Sequence, residues 1–210
     1  MSYLKLLTFF GLFCYNNTFG QALGWQCLPN KVIDSISCIE KYKDELWFVH
    51  GTPSQNSCKI SVLKNINTII DYGTFPTSVR NVMVILHYKD TLIIGGAFRH
   101  LKGDTFKTKI VKFYDNTIEA LDKHYMYGNI YGREYVAALQ EFKGNLVVGG
   151  YFEGIGHATS SSVALWTGTA WESMGLGLFS QDNWTKEITP GRISHIGCDY
   201  DSNAVSFTII

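Results

Sequence analysis

Net charge is absent from this chain of 210 residues: eighteen Lys and Arg offset eighteen Asp and Glu. The basic residues are scattered singles rather than a patch, which removes the electrostatic case for general nucleic-acid binding. No Cys-x-x-Cys occurs, so zinc-ribbon and thioredoxin-type chemistry have no support. Gly-x-Gly-x-x-Gly and Gly-Lys-Ser/Thr are missing, and with them any phosphate loop. His-Glu-x-x-His is missing, and the six histidines (50, 87, 100, 124, 157 and 195) show no metal-ligand spacing. Ser160, Ser161 and Ser162 lack a Gly-x-Ser-x-Gly elbow and read as loop. No apolar run reaches the roughly 20 residues of a membrane-spanning helix. Beyond the first two dozen or so positions, helical periodicity is also hard to find.

What is present is aromatic and β-forming. Hydrophobic residues make up 46% and aromatics 14%, with 12 Tyr and 13 Phe. That composition buries a real core and favours strands. The N-terminus carries Lys5, then the apolar run Leu6 to Tyr15, then small residues near Thr18, Gly20 and Ala22. Residues 1–22 therefore read as a secretory signal cleaved after Gly20 or Ala22, with an uncleaved anchor as the alternative. Cleavage removes Cys14 and leaves Cys27, Cys38, Cys58 and Cys198, which permit three pairings. Cys38 and Cys58 lie in one unit and make the local candidate pair.

The chain is built on a repeat. Leu92-Ile93-Ile94-Gly95-Gly96-Ala97-Phe98 returns as Leu146-Val147-Val148-Gly149-Gly150-Tyr151-Phe152. Each copy follows an aromatic and a lysine, Tyr88-Lys89 and Phe142-Lys143. A third copy centres on Tyr42, with its glycine pair degraded to His50-Gly51, and a fading fourth centres on Tyr200. The units span 36–72, 82–121, 136–174 and 193–210. Each complete unit holds four strand-like pieces joined by turns such as Lys143-Gly144, Tyr114-Asp115-Asn116-Thr117 and Thr167-Gly168-Thr169. Short strands at short spacing indicate an all-β architecture, and four strands per unit is the size of a β-propeller blade.

The pattern Val-x-Ala-Leu-x-x-Phe-x-Gly-x-Leu-x-Val-Gly-Gly-x-Phe, followed by an apolar strand, Trp166 and Trp171, resembles secreted kelch-type propeller repeats. Similar units occur in bacterial exported proteins with a C-terminal sorting domain and in a fungal cortical marker family. The resemblance is specific over 136–174, good over 82–121 and weak elsewhere. It implies a β-propeller-like fold of about three four-stranded blades plus half of a fourth, within a longer protein. It also implies a secreted or cell-surface, non-enzymatic module that binds protein or polysaccharide, with no cofactor, no nucleic acid and no membrane span. The alternative is a fragment of an extracellular propeller enzyme whose catalytic residues lie in further C-terminal sequence.

Individual residues then take expected roles. Gly95, Gly96, Gly149 and Gly150 let neighbouring units approach or supply a bulge. Phe98, Phe152, Trp166 and Trp171 recur at equivalent places and read as packing between units. The long insertion from Gly175 to Gly191 is the expected contact loop, through Phe179, Trp184 and Lys186. Asn183-Trp184-Thr185 is a glycosylation acceptor in a eukaryotic secretory pathway.

Overall fold

The computed structural model describes residues 35–65, 68–75, 77, 81–98, 109–124, 126–128, 134–181, 188–199 and 204–209. The expected signal over 1–22 and Cys27 lie outside the described residues. Strands β1 (Ile36–Tyr42), β2 (Glu45–His50), β3 (Cys58–Asn65) and β4 (Thr68–Phe75) form an antiparallel sheet in that order. The order recurs in β5 (Val82–Tyr88), β6 (Thr91–Gly96), β7 (Ile110–Tyr114) and β8 (Thr117–Ala120). After the short β9 (Met126–Tyr127), a third sheet starts with β10 (Tyr135–Phe142) and β11 (Asn145–Tyr151). Here β12 (Gly154–Ile155) leaves the sheet to pair with β9, and β13 (Val163–Trp166) and β14 (Trp171–Ser173) complete it. A hairpin of β15 (Phe179–Gln181) and β16 (Ile188–Pro190) precedes the last pair, β17 (Ile193–Asp199) and β18 (Ala204–Ile209). Among the described residues the fold is thus all-β, with three four-stranded antiparallel meanders and a final hairpin of β17 and β18.

The aromatic-lysine dipeptide explains the first turn of each meander. Lys43, Lys89 and Lys143 adopt φ of 53°, 49° and 52°, the left-handed region that tight hairpin turns demand. Each lysine folds back so that its ammonium lies over the preceding ring, 4.7 Å from Tyr42, 4.8 Å from Tyr88 and 5.3 Å from Phe142. The tyrosine hydroxyls reach the next turn along the chain. Tyr42 donates to the Asp90 carboxylate, and Tyr88 donates to the Gly144 carbonyl at 2.8 Å.

Every first strand bulges near its start, between Ile36 and Cys38, Val82 and Val84, Val136 and Ala138, and Ile193 and His195. The second glycine of each pair sits opposite the bulge. A Cβ added to Gly96 would fall 2.0 Å from the Asn81 carbonyl oxygen, and one added to Gly150 would fall 2.0 Å from that of Tyr135. At these two positions a side chain would force the facing backbone to move. The register also corrects the sequence alignment of the first unit. Ile36 faces His50 and Cys38 faces Val49, so the glycine pair has become Val49-His50, not His50-Gly51.

Successive sheets stack face to face over three apolar cores. Val49, Ile60 and Phe75 meet Val82, Leu92, Phe98 and Phe113 in the first. Ile93 and Ile110 meet Val136, Leu146, Phe152, Trp166 and Trp171 in the second. Val147 and Val163 meet Ile193 and Ile196 in the third. Phe98 and Phe152 are essentially inaccessible, and each such side chain contributes roughly 2–3 kcal/mol of burial. The first strands lie side by side through the stack: β1 on β5, β5 on β10, β10 on β17. The first glycine of each pair controls that approach. A Cβ on Gly95 would lie 2.6 Å from Val136 Cγ1, and one on Gly149 would lie 2.8 Å from Ile193 Cγ2.

Candidate functional site

The expected contact loop is a β-hairpin arm rather than an irregular loop. Its base is stitched to the serine segment, with Ser161 N–H donating to Leu176 O at 3.2 Å and Leu178 N–H donating to Ser161 O at 2.8 Å. Gly191 N–H closes it onto Leu178 O at 2.9 Å. Ser160 Oγ donates to Val163 O at 2.5 Å and accepts from Met174 N–H at 3.1 Å, while the buried Ser162 Oγ has no hydrogen-bond partner among the described residues. Leu176 and Phe179 project from the arm, 84% and 48% exposed. Trp184 and Lys186, the other expected contact residues, lie outside the described residues.

Beside the arm, at the heads of β10, β11 and β17, stand three residues that sequence reasoning passed over. Tyr135 and Tyr151 face each other across the β10–β11 ladder with ring centroids 6.0 Å apart and planes 25° apart. The exposed Arg192 lays its guanidinium over Tyr151, 5.6 Å from the ring centroid. Burial, reinforced by Tyr151 and opposed by Arg192, pushes the Tyr135 phenol above its ordinary range. It stays a neutral hydrogen-bonding group at physiological pH. Asn81, Tyr135 and Arg192 share one signal: each immediately precedes the first residue of the bulge in its own first strand. Repeat positions that keep their place and change their chemistry are where such a signal lies.

Trp166 and Trp171 are a cross-strand pair in the second core, with rings 5.0 Å apart, and offer no exposed face to a ligand. The expected Cys38–Cys58 disulfide is overturned, for both are free thiols. Cys38 lies opposite Val49, Val49 lies opposite Ile60, and Cys58 is two residues from Ile60. The two cysteines are therefore two strand spacings apart, about 10 Å, beyond the roughly 7 Å that a disulfide spans. Burial pushes both thiols up to about 12, with hydrogen bonds from Ser37 and Val49 opposing it at Cys38. Such cysteines are packing groups rather than nucleophiles.

One constellation has the composition of a hydrolase triad without its order. His50 Nε2 lies 2.8 Å from Ser61 Oγ, and Ser61 Oγ donates to Asp71 Oδ1 at 2.7 Å. The serine sits between the imidazole and the carboxylate and is fully buried. A catalytic triad needs the histidine between the other two and the hydroxyl open to substrate, so these residues form a structural network. Lys59 extends it to the surface, 3.2 Å from Asp71 Oδ2. No helix among the described residues is long and apolar enough to cross a membrane.

No family model and no curated protein matches the chain. Among solved structures, the computationally designed Ika4 protein is similar at 14% identity and a TM-score of 0.43, over 91% of this chain and 99% of that one. The computationally designed Ika8 protein is similar at 12% identity and a TM-score of 0.44, over 84% of this chain and 46% of that one. Likenesses at that level assign neither fold family nor function.

Proposed function

We propose that this chain is part of an exported β-propeller-like module that binds a protein or polysaccharide partner at the cell surface through the end carrying Tyr135, Tyr151 and Arg192. Three features support the architecture: one strand order used three times, neighbouring first strands, and face-to-face cores between consecutive sheets. The binding reading rests on one observation, the grouping of two tyrosines and an exposed arginine beside an arm that presents Leu176 and Phe179. Tyrosine and arginine dominate the energetics of protein interfaces. An aromatic face with a hydroxyl at its rim also suits a sugar ring, apolar on one side and polar at its edge.

A glycan array and a pull-down from cell-surface extract, both with the secreted protein, test the reading. Binding that falls at least tenfold in R192A and Y135A, with the fold intact by circular dichroism, is the expected result. Binding unchanged in both variants would rule out this end of the molecule as the site. The competing reading, a propeller enzyme completed by further sequence, is decided by reading the coding DNA past Ile210 for additional units or a catalytic domain.

A further inference from the structure

The β9–β12 ladder brings together two histidines that are far apart in sequence. Its register pairs Tyr127 with Gly154 and Met126 with Ile155, and the chain then reverses at Gly156-His157, where Ile155 and Ala158 exchange backbone hydrogen bonds of 3.0 and 2.9 Å. That turn sets the His157 ring edge against the His124 ring, with centroids 5.3 Å apart and planes crossing at 63°. Gly156, at φ 58°, makes the turn possible, since a Cβ there would press 3.2 Å against His124 Cβ.

His124 is also held in one tautomer. Its Nδ1 bonds Asp122 Oδ2, its backbone N–H donates to the same oxygen at 3.4 Å, and Trp171 Nε1–H donates to it at 3.1 Å. With the proton on Nδ1 shared with the carboxylate, Nε2 carries the free lone pair. A carboxylate orienting one imidazole nitrogen so that the other can ligate is the usual outer-sphere arrangement of metal-binding histidines. Two imidazole nitrogens, each about 2.1 Å from one ion at a tetrahedral angle, put their ring centroids about 5 Å apart. The observed separation meets that requirement.

We propose that His124 and His157 form a two-histidine surface site for a divalent transition metal of the zinc, nickel or copper class, with Asp122 as the residue that positions His124. Imidazole donors select this class over magnesium or calcium. Among the described residues no group of three or more His, Cys, Asp or Glu is placed to hold a metal, so water fills the other positions and the affinity is micromolar or weaker. A bound ion would tie the β12 turn to the segment entering β9, and so stabilise the connection between the second and third sheets by mass action.

The test is calorimetric titration of the full chain with zinc chloride at neutral pH, paired with NMR of the imidazole protons. The expected result is one saturable site per chain, with the His124 and His157 signals shifting together and those of the other histidines static. H157A alters an exposed side chain and leaves the packing intact, and it should lose at least tenfold in affinity, as should H124A. D122N should weaken binding about 10–100-fold by releasing the ring. Absence of saturable binding up to millimolar zinc, or binding that survives in H157A, overturns the site. Binding that is unchanged in D122N overturns the positioning role. Magnesium chloride should produce no response, and an equal response to it would equally overturn the proposal.

Discussion

The seam between the first and second sheets and the seam between the second and third are built on the same strands in the same order, yet they close differently. In the second seam Gly95 stands on β6 and admits Val136, so β10 lies against both β5 and β6. The third seam repeats this, with Gly149 admitting Ile193 and β17 lying against both β10 and β11. In the first seam Val49 occupies the glycine place, and β5 packs chiefly on β1. Polar chemistry then takes over what close backbone packing does elsewhere. Glu40 accepts the backbone N–H of His87 at 2.7 Å and meets its Nδ1 at 2.7 Å, while the imidazole stacks on Tyr42 at 3.9 Å. The residue that matches Glu40 in the next unit is Leu86, which packs into the second core. Glycine allows a dry seam, and without it a specific hydrogen-bonded pair fixes the neighbour's position.

The largest effect should come from forcing the second seam to resemble the first. Gly95→Val places its Cβ within 2.6 Å of Val136 and adds two methyl groups beyond it. Overpacking of a closed core of this kind should cost about 3 kcal/mol or more. The reverse change, Val49→Gly, leaves a void against Val82 and should cost about 2–3 kcal/mol. Urea denaturation of both variants checks the pair. A Gly95→Val protein as stable as the parent would show that the glycine does not set the spacing.

Much of this was legible in the sequence, and the failures have specific causes. Leu92–Phe98 and Leu146–Phe152 revealed the second strand of each unit because a glycine pair inside an apolar run has few uses other than close approach. Trp166 and Trp171 lie opposite each other on β13 and β14 within the second core. In the first unit the alignment slipped by one residue, since Gly51 attracted the match while the strand register is counted from the Tyr42 turn. The Cys38–Cys58 pairing failed because sequence proximity ignores the intervening strand β2, which separates them. Tyr135, Arg192 and the His124–His157 pair were invisible for another reason. Each acquires its partner only through cross-strand register or through a neighbouring sheet, neither of which leaves a linear spacing.

Next in size is the clasp itself. Glu40→Ala removes a nearly buried carboxylate and leaves the His87 backbone N–H without its acceptor, a loss of about 3 kcal/mol. Glu40→Leu, which copies the second seam, restores apolar packing and should recover part of that loss, leaving about 1–2 kcal/mol for the orphaned N–H. If Glu40→Leu is as damaging as Glu40→Ala, shape complementarity in this seam is too strict for the polar and apolar solutions to be exchangeable.

The thiols give a probe of the first core that needs no mutation. Burial raises Cys38 and Cys58 from an ordinary 9.0 to about 12, so both stay protonated in the folded state while an unfolded chain ionises. Stability they contribute is present below pH 9.0 and is lost as pH rises toward the folded value, because the unfolded state then binds fewer protons. Alkylation by iodoacetamide at mildly alkaline pH, read by peptide mass mapping, should leave both unmodified until denaturant is added. Rapid labelling of either residue in the native protein would mean that the first seam opens far more readily than its core implies.

The smallest effects lie at the turns, and they separate two roles of the aromatic-lysine dipeptide. Tyr88→Phe keeps the ring under Lys89 and deletes only the hydroxyl that donates to Gly144 O, so it should cost about 1 kcal/mol. Lys89→Ala keeps that bond and removes an exposed ammonium, and its melting temperature should be indistinguishable from the parent's, because such surface contacts contribute little. Phe142, which has no hydroxyl, already shows that the ring and lysine suffice to form a turn. Thermal melts of the two variants therefore ask whether the tyrosine serves its own hairpin or the next one. A larger loss in Lys89→Ala than in Tyr88→Phe would assign it to its own hairpin, and the link from one unit to the next would then rest on the glycines and the Glu40–His87 pair alone.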